Sequence, residues 1–152
     1  MNINRIRTDI GVARNCISPV GNPTNDEYYY DIAAYHTQQA LEKCIKYYLS
    51  DIYTVDETSK EYKTHNIATL ILMLTQLDKG AFLSQFPEVI KIADKATKWE
   101  ASCRYGESLF STKQDIEYVL NITEQIFQTI QEIELFAENK TVQEQEDNNF
   151  ER

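Results

Sequence analysis

His36 and His65 are the two imidazoles of the chain, and imidazole moves a proton most readily near neutral pH. Lone histidines without a cluster of acidic partners at ligand spacing make a poor metal site. Two readings stand for each. His36 is either a partly buried ring bonded to a neighbouring polar group or a catalytic or ligand-binding residue. His65, near a helix start, is either a capping or packing residue or a functional one. Cys16, Cys44 and Cys103 are odd in number, widely spaced and form no Cys-x-x-Cys. That excludes a zinc ribbon and argues against a disulfide framework; reduced core thiols suit a cytoplasmic protein. No glycine-rich phosphate loop occurs. The nucleotidyltransferase hallmark, Gly-Ser followed by Asp-x-Asp, is missing, because no two aspartates lie two apart. No serine or cysteine nucleophile finds a supporting triad.

The densest polar group is Gln39, Glu42, Lys43 and Lys46. Lys43 and Lys46 lie on one side of a helical stretch, where they can meet phosphate oxygens, and Arg104, beside Tyr105, can add a bidentate grip. The alternative is a structural network in which Glu42, Lys43 and Arg104 tie two helices together. Lys91, Lys95 and Lys98 share a helix face, read either as a solvated surface or as a short phosphate-contacting stripe. Arg5, Arg7 and Arg14 stand against Asp9 alone and carry the same two readings.

Five stretches with helical period must position these groups. The first carries Ile3, Ile6, Ile10, Ala13 and Ile17 and is ended by two prolines and a glycine over residues 18–23. The second runs from Thr24 or Asn25 to about Tyr53. Its apolar stripe is Tyr30, Ala33, Ala34, Thr37, Leu41, Cys44, Ile45, Tyr48, Leu49 and Ile52, with Gln38, Glu42, Lys43 and Lys46 toward the other side. The third begins at Thr64 to Asn66, buries Ile67, Leu70, Ile71, Leu74 and Leu77, and stops at Gly80. The fourth has Pro87 in its first turn and turns Val89, Ile90, Ala93, Ala96 and Trp99 inward up to Arg104. The fifth is capped by Thr112 and repeats Ile116, Val119, Leu120, Thr123, Ile126, Phe127, Ile130, Ile133 and Ala137. Beyond it, residues 138–152 hold five acids, two bases and two apolar side chains, and read as a disordered acidic tail.

Composition agrees. The chain has 152 residues, 42% of them apolar, with only 4 glycines and 3 prolines. That is too few turn residues for a sandwich or barrel, and enough apolar side chain for a core. The fold expected is an all-α, antiparallel up-and-down bundle of about five helices over residues 1–137. A net charge of −9 argues against extended nucleic-acid binding. No stretch approaches the ~18 apolar residues of a membrane span, and the N-terminus lacks the apolar run of a signal peptide. Ten tyrosines, three of them consecutive at Tyr28–Tyr30, together with Tyr35, Tyr47, Ile122, Leu135 and Phe136, exceed what one core requires. A homodimer is expected to cover them.

Residues 31–49 resemble the second helix of the HEPN family, whose run Gln-Gln-Ala-x-Glu-Lys-x-x-Lys is matched by Gln38, Gln39, Ala40, Glu42, Lys43 and Lys46. His65-Asn66-Ile67 resembles the family's His-Asp-Leu, and Cys103-Arg104-Tyr105 its Ala-Arg-Tyr-Pro, with Gly106 in place of the proline. The resemblance covers roughly residues 3–135. It implies a helical bundle, often dimeric, that works beside a small nucleotidyltransferase or acts as an RNase in toxin systems, with a nucleotide as ligand. RNase members carry Arg, four to six residues, then His. Here the nearest arginine before either histidine is Arg14, and no histidine follows Arg104. The resemblance therefore points to a non-catalytic binding module without a bound cofactor, the alternatives being a divergent RNase around Arg104 and a plain helical interaction protein.

Overall fold

The computed structural model describes residues 1–105 and 111–150, with backbone alone for 102–105 and 147–149. Its helices are α1 (Asn4–Ile17), α2 (Glu27–Tyr47) continued by a π turn (Tyr48–Ile52), α3 (Ile67–Asp78), α4 (Ala81–Gln85), α5 (Val89–Tyr105) and α6 (Lys113–Phe150). The all-α bundle is as expected. α2 is its axis, packed on α1, α3, α5 and α6. The Arg104 and Tyr105 side chains, the Cys103 thiol and the turn at Gly106 lie outside the described residues.

Local chemistry starts each helix. The Asp26 carboxylate accepts from Tyr28 N–H at 2.8 Å, so α2 begins slightly later than its first polar residues suggest. Asn66 Oδ1 accepts from Thr69 N–H at 2.9 Å and opens α3. Thr112 Oγ1 accepts from Asp115 N–H at 3.1 Å and opens α6. Between α1 and α2 the chain turns so tightly that a Cβ on Gly21 would stand 1.8 Å from the Asn15 carbonyl oxygen. α3 ends on Lys79 and Gly80, both with positive φ. Asp78 then accepts from the Gly80 and Phe82 amides, each at 2.8 Å, and so starts the short α4.

Several expectations are corrected. Leu77 and Ile90 are exposed, because α4 turns the chain and Phe82, Phe86 and Ile92 fill the core instead. Gln38, Glu42 and Lys46, read as outward, are buried. Ile52 is exposed because the π turn winds α2 out of its register. Tyr47 and Ile122 are buried rather than surplus, and Tyr47 O–H donates to Glu134 of α6. Tyr28, Leu135 and Phe136 remain exposed. The sequence pattern places the bundle's end at residue 137 and a disordered tail after it. α6 is one helix to Phe150, and each of its described side chains from Leu135 onward is exposed.

α1 is fastened from two sides. Arg14 donates to both carboxylate oxygens of Glu124 at 2.7 and 2.6 Å and to Asn121 Oδ1 at 2.5 Å, tying α1 to α6. Arg7 lies over the Phe127 ring, 5.9 Å from its centroid.

Candidate functional site

α2 carries two polar ladders side by side, because steps of three and four keep residues on one helix face. The first is His36 and Lys43, facing α1. The second is Gln38, Glu42 and Lys46, facing the loop that leads into α3. Gln39 joins them by donating to Gln38 Oε1 at 2.7 Å.

Asp9 of α1 closes the first ladder. His36 Nδ1 donates to Asp9 Oδ1 at 2.8 Å, and Lys43 Nζ donates to Asp9 Oδ2. The carboxylate only accepts, so the proton sits on Nδ1. Burial pushes the Asp9 carboxyl up. The hydrogen bonds and charges of His36 and Lys43 outweigh it, and its pKa lies below the ordinary carboxylate value. Tyr35 meets the His36 ring edge-on, with centroids 5.2 Å apart.

Glu42 closes the second ladder with both oxygens engaged. Gln38 Nε2 donates to Oε2 and Lys46 Nζ to Oε1, each at 2.8 Å, and His65 Nδ1 lies 3.2 Å from both. Lys46 also sits over the buried Tyr62 ring, 5.2 Å from its centroid. The approach of His65 is set from α5, where Thr97 Oγ1 accepts from Ile67 N–H at 3.0 Å and holds the start of α3.

Each lysine thus has its own carboxylate, and each histidine is tethered through Nδ1. Among the described residues no side chain bonds either Nε2. Such a tether fixes tautomer and ring orientation in binding and catalytic sites alike. Among the described residues, no group of three His, Cys, Asp or Glu side chains is placed to hold a metal ion. Of the sequence-derived candidates, Gln39, Glu42, Lys43, Lys46 and His36 fall in this one layer, and His65 joins it. Sequence reasoning missed the centrality of Asp9, read only as a charge opposing three arginines. It also missed the ring of Tyr62 under Lys46. The one signal for Asp9 was its being the single acid of α1.

The family's sequence model for the HEPN domain matches residues 24–133. The chain belongs to the HEPN family. No curated protein and no solved structure matches it. The matched region contains both ladders but not α1. Asp9, which neutralises the first ladder of this HEPN domain, therefore comes from outside the part that the family model covers.

Proposed function

We propose that this HEPN protein is a non-catalytic, homodimeric binding module of the cytoplasm. It would act beside a nucleotidyltransferase partner, in a nucleotide-linked toxin–antitoxin or stress system, with a nucleotide as its ligand. One observation carries the reading: every charged side chain of the α2 block whose contacts are described is held by a group of opposite sign. Cleaving RNA without metal requires a general base beside a cation free to meet the scissile phosphate. Lys43 and Lys46 are already neutralised, and the Arg-x4–6-His spacing is missing from the sequence. Dimerisation is supported by the surplus of apolar side chains outside the core, among them Tyr28 and Phe136.

Two measurements test this. The first is a thermal-shift panel of nucleoside mono-, di- and triphosphates. A nucleotide at 100 times its Kd adds about 2.7 kcal/mol and raises the melting temperature by roughly 5–10 °C. The second is incubation of stoichiometric protein with RNA in chelator, which leaves the RNA intact. Cleavage abolished by His36→Ala or Arg104→Ala overturns the reading in favour of a divergent RNase. No shift with any nucleotide leaves a helical interaction protein without a nucleotide role.

A further inference from the structure

α1 lies wholly outside the residues that the family model matches, yet it supplies the carboxylate of the first α2 ladder. By its own sequence it is a weak helix. No side chain caps its N-terminus, no acid stands in its first turn, and Gly11 lies at its middle on the exposed side. A Cβ on Gly11 would meet nothing within 4 Å, so no contact there offsets the cost of a helical glycine. A helix of 14 residues built this way does not persist in water alone. It is held in place by the buried Ile6, Ala13 and Ile17, by the Arg14–Glu124 pair, and by Asp9.

The Asp9 contact has the form of an occupied anion site. Two donors of α2, His36 Nδ1–H and Lys43 Nζ, converge on the two oxygens of one carboxylate. A phosphate presents two oxygens on one atom in the same way and carries as much charge or more, so donors that hold the carboxylate can hold it too. His36 needs no change of tautomer for the exchange. Gln39 lies between the two on the same helix face and spends one of its two amide hydrogens on Gln38. The side chains of His36 and Lys43 keep 27 and 26% of their surface, so a ligand reaches them from solvent. The second ladder is closed by comparison, with Lys46 and Glu42 at 10 and 6%. Asp9 and a phosphate cannot share the place, because two anions side by side in a partly buried site repel.

We infer that His36, Gln39 and Lys43 form a phosphate subsite which Asp9 fills as a built-in anion, so that a phosphate-bearing ligand binds by displacing Asp9 and releasing α1. The inference deepens the nucleotide reading above by naming where the phosphate sits and what guards the place. The test is titration calorimetry with inorganic pyrophosphate, which has the phosphates of a nucleotide and no base. Wild type binds it weakly at millimolar concentration. Asp9→Asn binds about tenfold more tightly, because the competing anion is gone. Lys43→Ala in that background removes the gain. Glu138→Gln, the same change of net charge on the exposed part of α6, gives none. Gly11→Ala touches no ligand group but strengthens the docked α1, and weakens wild-type binding roughly two- to fivefold. In wild type saturated with pyrophosphate, amide hydrogen exchange over residues 5–17 quickens. Asp9→Asn binding no more tightly than wild type, α1 amides that exchange no faster with pyrophosphate, or a wild type that binds none of it each overturn the inference and leave Asp9 a structural counter-ion. Nucleotides that bind wild type and Asp9→Asn equally also overturn it, and the nucleotide reading stands. Pyrophosphate behaving as expected while no nucleotide binds upholds the subsite and removes that reading.

Discussion

Replacing Asp9 by alanine removes the one carboxylate shared by His36 and Lys43 and leaves two donors facing each other. Breaking a buried ion pair from one side costs ~3–5 kcal/mol, and an exposed pair is worth ~0–1 kcal/mol. Asp9 is 7% exposed, but the side chains of His36 and Lys43 keep 27 and 26% of their surface. They can rehydrate once the carboxylate is gone, so the cost falls between the limits, at about 2–3 kcal/mol. For a chain of this length that lowers the melting temperature by roughly 5–10 °C. The pH dependence has a definite sign. The folded pKa of Asp9 lies below its ordinary value of 3.8. Its stabilisation is therefore complete above that value and is lost as pH falls through the folded one. Urea unfolding of wild type and Asp9→Ala at pH 5, 4 and 3 should show a gap that closes below about pH 4. Equal stability at pH 5, or a gap that widens from pH 5 to pH 3, would refute the assignment of Asp9 as the counter-ion that holds α1 to α2.

Glu42→Gln should cost about 2–4 kcal/mol in urea unfolding, because a buried Lys46 loses its counter-charge; an unchanged midpoint counts against that role. Gly21→Ala should destabilise by about 1–3 kcal/mol, since its Cβ meets the Asn15 carbonyl, and a neutral effect on the melt would show that the turn yields freely. Cys44 is fully buried, and burial pushes its thiol pKa well above the ordinary range. It should stay unmodified by iodoacetamide at pH 8 in the native protein and react in urea, as peptide mass mapping would show; native labelling would place the thiol at the surface.

The sequence alone determined the helices, because apolar residues at steps of three and four can bury one stripe only by coiling. Ile6 and Ala13, or Ile116 through Ile130, state their inward side without reference to anything else. Caps such as Asn66 and Thr112 were legible too, since a cap is satisfied within a few residues. The family was legible in the polar run of α2, which is a local pattern. The partners of that run were not. Glu42 and Lys46 look solvent-facing to any periodicity, because charge is read as outside. They are buried because His65, 23 residues away, and Tyr62 close over them. Asp9 reaches Lys43 across 34 residues. The desolvation of a charge is tolerable only where such distant groups meet, and only the packing of α1 and the α3 approach on α2 decides where that is. The same reason separates Ile92 from Ile90. Both are apolar, and the turn made by α4 decides which of them faces the core.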